Sequence, residues 1–269
     1  MEIRINGKTA QTNRCQLLDI AQETCGSLEQ LVIIYNGFQT DKNLSVSEGD
    51  EITLIRKGEL PSLEALEPML AARHTPGVYQ KIRSGRVAIA GLGGLGSHVA
   101  LSLARTGVGH LHLIDFDIVE PSNLNRQQYR ICHLGKAKAH ALKEQIEEVN
   151  PFVQVIAENV RLTEQNVAAI LKDDPIICEA FDAPEAKAML VNTLLSRYPD
   201  KIIVAASGMA GYGSNNAIHT RKVTQNFYLC GDETTQAAPG CGLMAPRVSI
   251  CAGHQANTIL RILLGERDE

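Results

Sequence analysis

Four glycines, Gly91, Gly93, Gly94 and Gly96, crowd into the run G-L-G-G-L-G-S, directly after the apolar V-A-I-A that ends at Ala90 and directly before the apolar stretch Val99 to Ala104. A strand, a glycine turn and a helix in that order make a cradle for phosphate. Gly91 allows a sharp turn, Gly93 allows the backbone to approach an anion, and Gly96 allows close helix packing, while free N–H groups at the helix start face the anion. The helix start contributes only about 0.3–1 kcal/mol at an exposed site, so it positions charge more than it supplies affinity. The next apolar strand, His110 to Ile114, ends at Asp115, which lies 24 residues past Gly91. A Rossmann unit places there the acid that takes a ribose hydroxyl.

Beyond that acid the chain reads D-F-D-I-V-E-P-S-N-L-N-R-Q-Q, which brings Asp115, Asp117, Asn123, Asn125, Arg126 and Gln127 into one short stretch, and G-K-A-K follows, ending at Lys138. This acid-x-acid, S-N-L-x-R-Q, then lysine pattern is similar to that of the ThiF/MoeB/ubiquitin-activating superfamily. The resemblance covers roughly residues 70 to 265 and implies an adenylyltransferase that binds ATP and Mg²⁺. Attack of a carboxylate on the α-phosphate brings two anions together, and cations offset that repulsion. Arg126 can fork onto two phosphate oxygens, and Lys138 is a mobile point charge. The resemblance assigns Gly91, Gly93, Gly94, Gly96, Asp115, Asp117, Asn123, Asn125, Arg126, Gln127 and Lys138 to the nucleotide. A further buried strand, P-I-I-C-E-A, ends in F-D-A, where the family shows an aspartate that helps hold magnesium; Asp182 fills that place. A carboxylate suits Mg²⁺, which takes hard oxygen donors. Ala183 replaces the asparagine the family often has next, and a helix N-cap is the other reading of Asp182.

Three features depart from the pattern. Many relatives bind zinc through two C-x-x-C pairs, whereas the seven cysteines here include no such pair, so no zinc is expected. Cys241, in A-P-G-C-G-L-M-A-P, stands near the loop where some members keep a catalytic cysteine. It reads either as that cysteine or as a small apolar residue. The superfamily also supplies an arginine across a dimer from R-Y-x-R-Q; here R-H-T-P leaves Arg73 at the first arginine and Pro76 at the second, so Arg73 is either that finger or a linker cation.

The elements that must position these residues form two domains. Alternating strands and helices over 85–269 imply a Rossmann-like doubly wound α/β sheet of the ThiF/MoeB type. That domain includes a helix from Ala186 to Ser196, a β-rich stretch from Ala217 to Leu229 and a final helix from about Val248. Ahead of it, residues 1–59 read strand, strand, helix, strand, strand, with Asn6-Gly7 as a hairpin turn. That is the α+β β-grasp order of ubiquitin-like proteins, and N-G-K-T and E-G-D-E-I-T-L-I resemble ThiS. A carrier of that family ends in Gly-Gly, whereas this segment runs on as R-K-G-E-L-P-S. The domain is therefore expected to keep the fold without the carrier chemistry, as a docking or regulatory module or as a stabilising appendage. Residues 60–84, with Pro61, Pro68 and Pro76, are expected to be a linker with a helix or two.

Bulk properties exclude several roles. A net charge of −4 with acids and bases mixed along 269 residues gives no basic face for nucleic acid. No run approaches the ~20 apolar residues of a membrane span, and no signal peptide is visible, so a cytoplasmic location is expected. The partners that the resemblance implies are a sulfur-carrier protein ending in Gly-Gly, a sulfur donor such as a cysteine desulfurase, and a second copy in a homodimer. The carrier would serve a ThiS-type pathway, with thiamin biosynthesis favoured. Two rivals stay open: a scaffold whose β-grasp domain occupies the carrier groove, and an NAD-dependent oxidoreductase.

Overall fold

Asn6 and Gly7 both take positive φ, 49° and 77°, a backbone that asparagine and glycine tolerate best and that joins strands with matched twist. This turn links β1 (Glu2–Ile5) to β2 (Lys8–Gln11). The computed structural model describes residues 1–268, and the chain divides into two compact units, Met1–Gln80 and a second from Lys81 onward.

In the first unit α1 (Leu17–Cys25) ends at Gly26, whose φ of 73° caps the helix. β3 (Leu31–Tyr35), β4 (Phe38–Gln39) and β5 (Glu51–Arg56) complete a five-stranded sheet in the order β2-β1-β5-β3-β4. The central pair, β1 and β5, is parallel and the rest are antiparallel. Ile3, Ile33, Ile52 and Leu54 of the sheet close on Leu17, Ile20 and Ala21 of α1, and each large side chain contributes about 1.5–3 kcal/mol. This is the β-grasp arrangement expected from residues 1–59. The segment expected as a linker supplies α2 (Leu63–Leu70), capped by the Ser62 hydroxyl, and α3 (Val78–Ile82). Pro68 of α2 sits where a side chain on Gly7 would collide with it.

In the second unit β6 (Arg86–Ala90), α4 (Gly94–Thr106), β7 (His110–Asp115), α5 (Lys138–Val149) and β8 (Gln154–Asn159) make the first half. α6 (Val167–Ile170), β9 (Ile176–Glu179), α7 (Pro184–Arg197), β10 (Ile202–Ala206), β11 (His219–Thr224), β12 (Phe227–Gly231) and α8 (Ala245–Leu264) make the second. The sheet order is β11-β12-β10-β9-β6-β7-β8. Only β11 runs antiparallel, to β12. The stretch read as β-rich from Ala217 is therefore a hairpin whose second strand extends the parallel sheet beside β10.

Side chains alternate across β6. Ala88 and Ala90 join a cluster with Leu190 and Leu194 of α7, whereas Ile89 faces Gly96 of α4. Helices thus cover both faces, as a buried parallel sheet requires. Strand order reverses between β6 and β9, and the crevice beyond their carboxyl ends is where such folds bind ligands.

Candidate functional site

The glycine turn is built by close backbone contact. Gly91 has φ of 89°, and a Cβ there would lie 2.8 Å from the Ala180 carbonyl oxygen. A Cβ on Gly96 would lie 1.9 Å from the Gly91 oxygen, so α4 starts against its own turn because Gly96 has no side chain. Gly93 differs: a Cβ there would meet only Gln127 Nε2, at 3.7 Å. Space beside its backbone is left for something other than protein.

Asp115 is buried at the end of β7, and its two oxygens accept the Leu92 N–H at 2.6 Å and the Asp117 N–H at 2.8 Å. Burial pushes its carboxyl above the usual range, although these bonds and Lys138 pull it back. The acid expected to hold a ribose thus also ties the glycine turn to the loop after β7.

That loop carries the cations. Arg126 Nη1 donates to the Ser122 carbonyl at 3.0 Å and to Asn125 Oδ1 at 2.9 Å, while its Nε is buried without a partner among the described residues. Gln127 Oε1 is likewise buried and unpartnered. Buried polar atoms are rarely left so, and two together beside open space point to a polar ligand. Lys138, the first residue of α5, is 8 % exposed in its side chain and donates to Asp117 Oδ2 at 3.0 Å. Asn123 is buried and accepts the Glu120 N–H at 3.0 Å, so its side chain shapes the turn.

Two residues that sequence reasoning missed fasten this loop to the glycine turn. The Ser97 hydroxyl donates to the Gly93 carbonyl at 2.6 Å and accepts the Gln128 N–H at 3.1 Å. Buried Tyr129 donates to the Leu92 carbonyl at 2.8 Å. A serine in an apolar helix and a tyrosine after a motif carry little local signal; their roles depend on contacts 31 and 37 residues away.

A cleft of about 680 Å³ lies over the switch point. Its lining includes Gly91, Gly93, Gly94, Asp115, Asp117, Arg126, Gln127, Lys138 and Asp182, together with Phe116 and Arg161. The Arg161 guanidinium stands 4.1 Å from the Phe116 ring centre. Asp182 is exposed, and no hydrogen bond or ion pair holds its carboxylate among the described residues. It does not cap α7: the N-cap is Ala183, because Pro184 takes the first helical position. Mg²⁺ needs only one or two carboxylates, with phosphate and water completing its shell, so Asp182 suits a metal that arrives with a nucleotide. Among the described residues no group of three or more His, Cys, Asp and Glu could hold a metal ion.

The other candidates stand apart from this lining. Gly96 and Asn125 support it from behind, through Gly91 and Arg126. Cys241 is half-buried, two residues before Leu243 of the lining, with its sulfur 3.3 Å from a Cβ built on Gly211. Arg73 belongs to the first unit, where its guanidinium bonds the Gln39 side chain. Cys178 and Cys251 are core residues, and burial pushes the Cys251 thiol up to about 12.

A doubly wound sheet with a glycine turn and two cations gathered over its switch point defines a Rossmann-type α/β unit. The "ThiF family" model matches residues 67–269, and a "ThiS-like ubiquitin" model matches residues 1–58. The chain belongs to the ThiF family. It is 38% identical over 203 residues to the "Adenylyltransferase and sulfurtransferase uba4" of Aspergillus terreus, covering 70% of this chain and 41% of that protein. Against the UBA4 of Eremothecium gossypii it is 33% identical over 221 residues, covering 77% and 49%. The chain therefore spans less than half the length of these curated relatives. Among solved structures it resembles the E. coli tRNA N6-threonylcarbamoyladenosine dehydratase TcdA in complex with ATP, with a TM-score of 0.66 and 23% identity over 74% of this chain and 93% of that one. E. coli MccB with ATP gives a TM-score of 0.54 and 22% identity, covering 75% and 60%. At these identities the likeness is one of fold. Among the described residues no helix is long and apolar enough to cross a membrane.

Proposed function

We propose that this chain binds ATP with Mg²⁺ and adenylates the C-terminal glycine carboxylate of a separate ubiquitin-like sulfur-carrier protein. The observation that carries this reading is the convergence of Arg126 and Lys138 on one cleft with the glycine turn, with Arg126 Nε and Gln127 Oε1 buried and unpartnered beside it. Such cations suit a reaction in which a carboxylate oxygen bonds to the α-phosphorus and pyrophosphate leaves with its electrons. Arg126 offers a planar fork to phosphate oxygens, and Lys138 a point charge that can leave Asp117 for a stronger anion. Bound magnesium, held by Asp182 and phosphate, would neutralise part of the leaving group's charge.

The relatives' names join adenylyl transfer to sulfur transfer, which favours a carrier later converted to a thiocarboxylate by a sulfur donor such as a cysteine desulfurase. The ThiS-like first unit favours a ThiS-type carrier, and thiamin biosynthesis is the pathway it suggests. The ubiquitin-like part continues through Gly58 into Glu59 and Leu60, offers no free carboxylate there, and therefore leaves the carrier role to another chain. A homodimer, in which Arg73 reaches the partner's nucleotide, completes the reading.

The test incubates the protein with ATP, Mg²⁺ and Gly-Gly carriers, and reads carrier-bound AMP by intact mass and carrier-dependent pyrophosphate exchange. Arg126→Ala, Lys138→Ala and Asp182→Ala should each abolish the adduct and leave the melting temperature within a few degrees. Normal adducts in all three would remove these residues from the chemistry. Absence of exchange with every carrier would favour a scaffold, and binding of NAD in place of ATP an oxidoreductase.

A further inference from the structure

Among the described residues the Asp182 carboxylate has no hydrogen bond or ion pair, yet the two residues before it are gripped on every side. The Ala180 N–H donates to the Ala90 carbonyl at 2.9 Å. The Phe181 N–H donates to Glu179 Oε1 at 2.8 Å, and the Phe181 carbonyl accepts from Lys187 Nζ at 2.8 Å. The same ammonium bonds Glu179 Oε1 at 3.0 Å and stands 2.9 Å from Oε2. Both backbone groups of Phe181 thus end on one ion pair. Below it, Gln255 of α8 donates to the Glu179 carbonyl at 3.0 Å, and above it the Phe181 ring fills the space that a Gly91 side chain would need.

Neither charge has a cheap reason to be there. Glu179 is wholly buried, and burial pushes its carboxyl upward even with Lys187 beside it. Lys187 lies in the first turn of α7, where a cation opposes the helix dipole. Its donors face Glu179 and Phe181, so the charge does not serve as a free cation for the cleft. A pair kept against desolvation and dipole is explained by what it holds in register.

We infer that Glu179 and Lys187 are positioning residues that fix the Phe181 backbone, and through it aim the Asp182 carboxylate at the metal of the bound nucleotide. This rests on the proposed role of the cleft. Supporting partners of this kind typically change metal affinity by about 10–100-fold when removed.

The experiment measures ATP binding by calorimetry with and without Mg²⁺, and amide exchange at Phe181, in the full chain. Lys187→Met should weaken binding in Mg²⁺ by about 10–100-fold, leave binding in EDTA unchanged and speed exchange at Phe181; Lys187→Arg should restore all three. Because Lys187→Met strands a buried carboxylate, Glu179→Gln/Lys187→Met removes both charges, and its folded form should show the same Mg²⁺-dependent loss. If a folded variant lacking Lys187 binds Mg²⁺ and ATP as the parent does, the positioning role is wrong while the reading of the cleft stands. If the parent itself shows no Mg²⁺-dependent binding of ATP, the reading of the cleft falls and this inference falls with it.

Discussion

Gly93→Ala and Gly96→Ala separate ligand space from packing space within one turn. At Gly96 an added methyl would sit 1.9 Å from the Gly91 oxygen, 2.9 Å from its carbon and 3.2 Å from Ile89 Cγ2. Restoring an ordinary carbon–oxygen contact requires α4 to retreat by more than about 1 Å from the turn. Such overpacking costs about 1–3 kcal/mol, or about 2–12 °C in melting temperature for a unit of this size. Because the turn moves with the helix, ATP binding should fall as well. At Gly93 the methyl would touch only Gln127 Nε2, at 3.7 Å, although the backbone there, at φ −75° and ψ −143°, lies outside the regions open to alanine. The backbone strain should cost about 1–3 kcal/mol in stability, while a methyl facing the cleft should displace phosphate and reduce ATP affinity by tenfold or more, about 1.4 kcal/mol. Thermal melting without ligand and calorimetry with ATP and Mg²⁺ read the two effects. A Gly93→Ala protein that binds ATP normally, or a Gly96→Ala protein indistinguishable from the parent, would refute the division of labour.

Ser97→Ala removes the hydroxyl that joins the Gly93 carbonyl to the Gln128 N–H; we expect a loss of about 1–3 kcal/mol in stability, with weaker ATP binding, and an unchanged calorimetric affinity would show that the loops hold without it. Asp174 is wholly buried, with Arg86 Nε 2.7 Å and His112 Nδ1 2.7 Å from its oxygens. Burial pushes its carboxyl up, but the bonds and charges of His112 and Arg86 outweigh it and leave it below the ordinary 3.8. Its stabilisation is therefore present above that value and is lost as pH falls through the lower folded value. Asp174→Asn should cost about 3–5 kcal/mol at neutral pH, and its urea midpoint should converge on the parent's below pH 4; a gap that stays constant from pH 7 to pH 3 would contradict the ionic account.

Most of the frame was legible because its signals are local. The glycine spacing, the periodicities of β6 and α4 and the Asn6-Gly7 turn each lie within a few residues of what they determine, and each forms as expected. Arg126, Lys138 and Asp182 were readable as a set only through resemblance, since 56 residues separate the first from the last, and only the parallel sheet brings them to one cleft. What could not be read was the fastening. Ser97, Tyr129 and the Glu179–Lys187 pair act through contacts to specific backbone atoms, which no composition or period records. Local rules also competed: a helix cap was the other reading of Asp182, and Pro184 decided against it by fixing where α7 begins. Likewise, the stretch from Ala217 to Leu229 reads as β-rich, but the pairing of β12 with β10 depends on a strand about twenty residues earlier.

The charges of the cleft explain why Arg126 and Lys138 are held so differently. The lining carries Asp115, Asp117, Glu164, Asp182 and Glu185 against Arg126, Lys138 and Arg161, so a bare triphosphate would meet more acid than base. A nucleotide accompanied by a divalent cation would not, which makes the unbonded carboxylate of Asp182 an asset. Arg126 is pinned through Nη1 to Ser122 and Asn125 and keeps its Nε free; it is a fixed fork, oriented before anything binds. Lys138 is parked on Asp117, whose side chain is 50 % exposed. Water reaches the carboxylate side of this pair and weakens it, so a phosphate, with more negative charge, would compete for the ammonium. On the proposed reading Asp117 is a waiting position: it holds the lysine extended in the absence of substrate and would yield when a stronger anion arrives. In the proposed reaction a tighter, buried partner would keep the lysine from the α-phosphate, and no partner would leave a nearly buried ammonium unsolvated.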